Sequence, residues 1–220
     1  MSGLKTEGDV IGDLVRYEHP SALCRELGTI LSGAGVLEIG SVLGKQTKSV
    51  VEAEADGDNT GNGTVGAVTL GAKAEVGVYT LTCTAAASNA GTFSVETPSG
   101  NALPDLTVGA AYTSGHINLT IADGATDFAE GDVVTITVSG SDKFDLYVPG
   151  EVDGLGEVAG ILLANIDATS ADVEKVLILT SDAVVSRHGL KYDAAVDSED
   201  ERAAVEKALK VLGIKLAEGA

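Results

Sequence analysis

Short apolar runs separated by glycine-rich and acidic turns dominate the chain, and two neighbouring runs are its most apolar part. The first lies within residues 156–167, and the second, Val173–Leu179, follows after the turn-prone residues 167–172. Two apolar runs joined by a short polar link are typical of paired strands. We therefore expect these two segments to pair in a small core.

Between residues 64 and 140, apolar and polar residues alternate with a period of two. This alternation is typical of strands that bury one face, and turn residues separate the strands. The predicted inward-facing residues are Tyr79, Leu81 and Cys83; Phe93 and Val95; and Ile117, Leu119 and Ile121, with segment 134–138 closing the series. We predict a small antiparallel sandwich or open barrel here.

The clearest helix signal comes near the end of the chain. Ser198 is a good N-cap, and Glu201 three residues later completes a capping box. An apolar stripe at helical spacing follows, formed by Val205, Ala208, Leu209 and Leu212. The stripe indicates either core packing or a subunit interface. Gly213 predicts the end of the helix, and Ile214 and Leu216 predict a short final strand.

A change in composition and in hydrophobic periodicity divides the chain into domains. Residues 56–63 have the composition of a linker, and a calcium loop is disfavoured because the EF-hand ligand pattern is missing. We predict a flexible N-terminal arm (residues 1–15), a discontinuous domain (16–56 plus 142–220) and an inserted Ig-like or β-sandwich-like domain (57–141). The two outer segments belong together because neither could close a core alone. The predicted fold is mainly β, with one C-terminal helix.

Charge excludes several classes of partner. The 220 residues include 14 basic and 33 acidic ones, a net charge of −19. Phosphate contacts need clustered Lys and Arg, so we expect no binding to nucleic acid or to an anionic membrane. No apolar run approaches the ~20 residues of a membrane helix. The first residues also lack the apolar region of a secretory signal, so we expect a soluble protein made in the cytoplasm.

Candidate metal and cofactor chemistry is weak. Cys24 and Cys83 are far apart, which favours two separate buried thiols over a disulfide. His19 and Cys24 lack further ligands at metal spacing. Four acidic residues between positions 123 and 132 indicate either a calcium site or, more simply, solvated turn residues; they are Asp123, Asp127, Glu130 and Asp132. Gly33 and Gly35 lack the third glycine of a dinucleotide loop. We expect no metal and no cofactor.

Catalysis is not indicated either. Ser186, His188 and Asp193 are close in sequence and could be taken as a hydrolase triad. Triads are defined by geometry, and no nucleophile elbow surrounds these residues. We therefore expect no enzymatic activity.

Three segments of the outer domain resemble the lambda-type head decoration proteins of tailed bacteriophages. Within residues 32–45, the segment 39–45 (Ile-Gly-Ser-Val-Leu-Gly-Lys) resembles the family's strand and glycine turn. Segment 158–163 (Val-Ala-Gly-Ile-Leu-Leu), followed by Asp-Ala-Thr-Ser from 167, resembles an apolar run of the family. Residues 197–216 resemble its closing helix and strand. Segments 63–69 and 121–128 of the insert are similar to a β-domain found in larger members.

The resemblance implies a β-clip-like fold and a homotrimer at the local three-fold axes of the expanded capsid. The trimer would cement neighbouring capsomers from outside without catalysis, with the major capsid protein as partner. The terminal arm would be either disordered or ordered by pairing with capsid strands. The residues expected to bind the capsid are Val10, Ile11, Leu14, Val15, Arg16, Tyr17, His19 and Pro20. Those expected in the trimer contact or the core are Ile161, Leu162, Val205, Leu209 and Leu212.

The insert would project outward as a negatively charged domain. An alternative function is a capsid-anchored binding module whose insert contacts host-surface glycans. Glycan binding would require aromatic side chains on one exposed face, yet the insert offers only Tyr79, Phe93, Tyr112 and Phe128.

Overall fold

A computed structural model describes residues 10–218, and the chain divides into two compact units. Unit 1 comprises the described residues up to Thr47 and from Asp142 onward, and unit 2 is Lys48–Ser141. The structure is mainly β, as predicted.

The described residues form twenty strands, numbered in chain order. The first four, in unit 1, are β1 (Val15–Glu18), β2 (Arg25–Ile30), β3 (Val36–Leu37) and β4 (Val42–Lys45). Those of unit 2 are β5 (Lys48–Ala55), β6 (Thr64–Val65), β7 (Thr69–Leu70), β8 (Gly77–Ala87), β9 (Ala90–Glu96), β10 (Ala102–Thr107), β11 (Tyr112–Thr113), β12 (Ile117–Leu119), β13 (Ile121–Ala122) and β14 (Val133–Gly140). Unit 1 then adds β15 (Phe144–Leu146), β16 (Val158–Leu162), β17 (Ile166–Asp167), β18 (Val173–Leu179), β19 (Ala183–Ser186) and β20 (Lys215–Ala217). The helices are α1 (Ile11–Leu14), α2 (Ser21–Cys24) and α3 (Glu199–Val211), with a 3-10 turn at Arg187–Gly189.

Five strands of unit 1 close into a small barrel in the order β15, β2, β18, β16, β4. Strand β16 pairs antiparallel with β18, with Ile161 opposite Leu179 and Leu162 opposite Ile178. The predicted pairing of the two most apolar runs is therefore confirmed. Strand β15 closes the barrel because it pairs parallel with β2 and antiparallel with β4.

The two segments of unit 1 meet where unit 2 interrupts the chain. Phe144 is paired with Lys45 in the barrel, and the Gln46 backbone N–H donates to the Lys143 carbonyl at 2.8 Å. The ends of unit 2 are also adjacent, because Lys48 pairs with Gly140 and Ser49 with Ser139. Each unit thus closes at its own base, which is the geometry that lets one domain be inserted into another.

Two glycines of the segment 39–45 are needed for close backbone approach. Gly40 has a φ of +95°, and a Cβ there would overlap the Gly189 carbonyl oxygen. A Cβ on Gly44 would overlap the carbonyl oxygen of Leu155. Any side chain at these two positions would push the backbone of unit 1 apart.

Helix α3 covers one end of the unit 1 core, in contact with β16 and β20. Its N-terminus has the predicted capping box, in which Ser198 Oγ accepts from the Glu201 N–H and the Glu201 carboxylate accepts from the Ser198 N–H. Val205 and Leu209 are fully buried in the core. The helix ends before Gly213, which has a φ of +80°. The predicted final strand forms as β20.

All strand pairings within unit 2 are antiparallel. A five-stranded sheet has the order β10, β9, β8, β14, β5, and smaller sheets pair β11, β12 and β7, and β13 with β6. The predicted inward-facing residues are all buried in one core: Tyr79, Leu81, Cys83, Phe93, Val95, Ile117, Leu119 and Ile121. Phe93 and Phe128 meet edge to face in this core, with ring centroids 5.1 Å apart.

The unit boundary differs from the one predicted from the sequence. Strand β5 falls before the predicted insert, but it pairs along its length with β14 and therefore belongs to unit 2. The linker interpretation of residues 56–63 is wrong as well. Asn59 exchanges two 2.7 Å hydrogen bonds with the Val133 backbone, so this segment is held against unit 2.

Asp132 organises the same segment. Its carboxylate accepts the backbone N–H groups of Thr60, Gly61 and Ala129 at 2.8–2.9 Å, and the residue is buried. Burial by itself would raise the pKa of Asp132, but the three N–H donors outweigh it, and the pKa is lowered.

We predict that Asp132→Asn destabilises the protein by roughly 2 kcal/mol at pH 7, because the amide cannot accept all three N–H groups. A carboxyl with a lowered folded pKa stabilises the fold above its unfolded pKa, and this stabilisation is lost as pH falls through the folded pKa. The difference between wild type and variant should therefore shrink below about pH 4. Urea unfolding at pH 7 and below about pH 4 measures this difference in the free energy of unfolding. The exposed Asp58→Asn is the control. An equal effect of both substitutions would contradict the role of Asp132.

Candidate functional site

The segment from Val10 to Pro20 is anchored to unit 1 by Leu14. This side chain is 2% exposed and lies in the same core cluster as Ile39, Val185 and Leu190. The packing is tight, since a Cβ on Gly189 would lie 2.9 Å from Leu14 Cδ1. Leu14 therefore fixes the point at which the N-terminal segment meets the body of unit 1.

Strand β1 continues from this anchor as the edge of a three-stranded sheet, in the order β1, β19, β20. Val15 lies opposite Val185 and Tyr17 opposite Val184, and the register shifts at Arg16 between them. Among the described residues, β1 has β19 as its one strand partner. The other edge of β1 thus presents backbone N–H and C=O groups to which a further strand could pair.

The last residue of β1 and the residue after it hold the strand in place. Glu18 accepts two hydrogen bonds from Arg25, at 2.8 Å to Nε and 2.7 Å to a terminal nitrogen. The His19 N–H donates to the Asp182 carbonyl at 3.1 Å. Beneath them, the Cys24 thiol is buried and lies 3.2 Å from the His19 carbonyl oxygen. A bidentate pair and a backbone bond therefore fix β1 from its C-terminal side.

One face of this sheet is open. Tyr17 is 64% exposed, and it lies in one row with Val184 and Lys215 across the three strands. A shallow groove of about 270 Å³ runs along the row, lined by Tyr17, His19, Asp182, Ala183, Val184, Gly213 and Lys215. The open edge of β1 and this face together form the candidate docking surface of unit 1.

The residues predicted to face the capsid divide into two groups. Leu14 is in the core, and Ile11 and Val15 pack against it, so these three are engaged within the chain. The exposed ones are Val10, Arg16, Tyr17, His19 and Pro20. Of the predicted flexible arm, residues 1–9 lie outside the described part of the chain. Ile11–Leu14 form a helical turn, and Leu14 at its end is buried in the core.

The residues predicted for the trimer contact or the core lie in the core of unit 1. Ile161, Leu162, Val205 and Leu209 are fully buried within unit 1, and Leu212 packs against the same core. They therefore pack within one chain.

Two leucines of unit 1 are exposed although no sequence pattern indicated it: Leu23 (71% exposed) and Leu27 (66% exposed). Leu27 is paired with Leu177 across β2 and β18, a contact that only the barrel topology reveals.

The alternative chemistries find little support in the geometry. Ser186 is buried, His188 is exposed, and no hydrogen bond joins them to Asp193 in the described structure. The acidic residues of unit 2 are not simply solvated, since Asp127 accepts the Asn89 N–H at 2.9 Å and Asp132 is buried.

Metal ligation finds no support among the described residues. Residues 10–218 contain no group of three or more His, Cys, Asp or Glu side chains placed to hold a metal. Cys24 and Cys83 are free and buried, as predicted.

The aromatic side chains of unit 2 are unavailable for glycans. The four aromatic rings that glycan binding would require on an exposed face are all in the core: Tyr79, Phe93, Tyr112 and Phe128. For Tyr79 and Phe93 this agrees with the inward-facing positions that the strand alternation predicts. Separately, none of the helices between residues 10 and 218 has the length and apolarity of a membrane span.

We predict different effects on stability for two neighbouring side chains of the candidate surface. Leu14→Ala should lower the free energy of unfolding by about 2–5 kcal/mol, because it leaves a cavity in the unit 1 core. Tyr17→Ala should change it by no more than about 0.5 kcal/mol, because the ring is mostly in solvent. Thermal and urea unfolding measure both. Comparable losses for the two variants would show that Tyr17 supports the fold.

Comparison with known proteins identifies a related family. The family model described as bacteriophage lambda head decoration protein D matches residues 100–214, just over half of the chain. The match takes in segment 158–163 and α3, and it begins within unit 2.

Other comparisons add little. No curated protein matches the chain. Two crystal structures of Xanthomonas campestris FlgL, in space groups H3 and C2, are similar at 21% identity, with TM-scores of 0.32 and 0.33. Each alignment covers 47% of this chain and about a third of FlgL (34% and 33%). Likeness at this level bears on neither fold nor function.

Proposed function

The chain belongs to the bacteriophage lambda head decoration protein D family, and we propose that it binds the expanded capsid as homotrimers at local three-fold axes, cementing neighbouring capsomers against the pressure of packaged DNA. Proteins of this family are structural, non-enzymatic virion proteins on the exterior of the phage head. The chain is accordingly a capsid decoration protein.

The open edge of β1 carries the proposal. Strand β1 directly follows the buried Leu14 and is fixed by the Glu18–Arg25 pair. One of its sides has no strand partner among the described residues, and its Tyr17 side chain is exposed. A strand of the major capsid protein could pair with this edge through backbone hydrogen bonds, with Tyr17 as a side-chain anchor. Such a contact needs no catalytic group, because main-chain hydrogen bonds supply most of the affinity.

Pairing of β1 with a capsid strand would cement the shell if it forms only on the assembled lattice. A protein that binds only the assembled lattice stabilises that lattice by mass action. A trimer that holds several capsomers at once adds avidity, because the second and third contacts become intramolecular. The partners are therefore the major capsid protein and two further copies of the chain. The net charge of −19 argues against nucleic acid as a partner.

We predict that Tyr17→Ala weakens binding to expanded, undecorated heads by roughly ten-fold or more, while the protein stays folded. Co-sedimentation with the heads measures binding. Val76→Ala, which removes an exposed apolar side chain from unit 2, is the matched control and should bind as wild type. Removal of residues 1–9 tests whether the preceding segment adds to the contact. Full binding by Tyr17→Ala would move the contact away from β1.

The trimer contact should involve the exposed leucines of unit 1. Leu27 is mostly exposed on the barrel, and Leu23 is exposed shortly before it in the chain, so both offer apolar area that a second copy could cover. We predict that Leu27→Asp turns trimers into monomers without unfolding, because it buries a charge at the contact. Sedimentation velocity gives the mass and circular dichroism the fold. Trimers that persist in this variant would place the contact elsewhere.

The glycan-binding alternative is not favoured. It needs exposed aromatic rings on the inserted domain, and the four rings available are in the core of unit 2.

A further inference from the structure

The outward face of α3 has a regular distribution of charge and size. Val205 and Leu209 are buried in the core, and the opposite side of the helix is exposed. From the first turn to the last, this exposed side carries Asp200, then Ala203 and Ala204, then Lys207, and finally Val211. Acidic and basic ends are thus separated by two small residues on a single face.

The charges on this face have no partner of their own. Within the described residues, Asp200, Lys207 and Lys210 make no ion pair, whereas nearby Arg187 is paired with Glu206 at 3.2 Å. Asp200 and Lys207 cannot pair within the helix, because seven residues separate them by about 10 Å along its axis. Side chains meet on a helix at spacings of three and four residues, and seven is out of reach.

The helix dipole explains part of this pattern and leaves the rest. It favours acidic residues in the first turn and basic ones in the last. Charged side chains lie opposite the core because that face is in water, but neither effect accounts for Val211, which is 82% exposed at the end of that face. A surface with unpaired charges of both signs and an exposed apolar residue is suited to a complementary surface.

We propose that this face docks against α3 of a second copy of the chain, with the two helices antiparallel about a two-fold axis. Placing Ala203 opposite the partner's Ala204 brings Asp200 opposite the partner's Lys207. The same register brings Asp197, which is exposed before the helix, opposite the partner's Lys210. Each contact occurs twice by symmetry, so the face is complementary to itself.

The small residues make the approach possible. Alanines at the crossing point let two helix backbones come close, so that the flanking side chains can reach across. Val211 then lies against the start of the partner helix and loses its exposure to water. The occupant is a second copy because both halves of the complementary surface belong to this one chain.

This pairing is distinct from the proposed trimer. A trimer is generated by a three-fold axis, whereas an antiparallel helix pair requires a two-fold axis. On a shell, the helix pair would connect one decoration protein to a neighbour that belongs to another trimer. It holds equally for the free protein, so it does not depend on the mode of capsid binding.

A single cysteine near the two-fold axis tests the pairing. In Ala203→Cys, two copies of the new thiol should come together and form a disulfide-linked dimer under mild oxidation. A short homobifunctional maleimide serves as a second probe with looser geometry. The native Cys24 and Cys83 are buried and do not compete. The matched control is Ala171→Cys, an exposed alanine elsewhere in unit 1, which should give no dimer above background.

A charge exchange tests the register. On the Ala203→Cys background, Asp200→Lys or Lys207→Asp alone should reduce the cross-linked fraction several-fold, because each turns two attractive contacts into repulsive ones. Both changes in the same chain should restore it, since opposite charges would again face each other across the two-fold axis, with their signs exchanged. A general loss of helix stability would make the double variant worse than either single one, so restoration reports pairing.

Three results would overturn the proposal. One is cross-linking of Ala203→Cys no greater than that of Ala171→Cys with both probes. Another is failure of the double charge exchange to recover cross-linking. The third is cross-linking on decorated heads to the capsid protein in place of a second copy, which would assign this face of α3 to the shell.

Discussion

Closure of the unit 1 barrel is the constraint on which the rest of the structure depends. Strand β15 comes after unit 2 in sequence, yet it pairs with β2 and β4, which come before it. The core of unit 1 therefore cannot form until residues on both sides of unit 2 are brought together. Pairing of Lys45 with Phe144, and of Lys48 with Gly140, keeps each unit closed at its base. Unit 2 adds loop length to one tight connection, which costs little because loop-closure entropy grows slowly with length.

The two units solve the packing of a small β core in different ways. Backbones approach at glycine in both, as at Gly44 against Leu155 in unit 1 and at Gly71 against Gly115 in unit 2, but unit 1 also covers one end of its core with α3. Residues 48–141, all of them described, contain no helix to cover the sheets of unit 2, and a buried carboxylate there gathers three backbone N–H groups around Asp132. A buried charge is tolerated because its hydrogen bonds replace the lost water. Both solutions fix backbone segments that carry little apolar area of their own.

Stability and docking meet in the N-terminal segment. Leu14 belongs to the core, while Tyr17, three residues later, is exposed on an edge strand. An edge that is held rigid on one side loses less entropy when a partner strand pairs with the other side. The proposed pairing of β1 with a strand of the capsid protein would make use of this combination. The exposed face of α3 is similar, because the helix is held by the core on one side. Its other side carries charged side chains that have no ion-pair partner among the described residues.

The sequence by itself determined the local structure. Strand alternation identified the buried residues of β8 and β9, and the capping box at Ser198 placed α3. Segments 39–45 and 158–163 resembled the decoration protein family, and the family model matches the second of them. These features depend on residues close together in the chain, so the spacing of apolar residues and the capping residues are enough to predict them.

The tertiary structure decided what depends on distant residues. Strand β5 joined unit 2 because its partner is β14, and residues 56–63 were ordered by Asp132, which lies 72 positions after Thr60. Leu14 became a core residue because which face of an element is covered is set by the elements that pack against it.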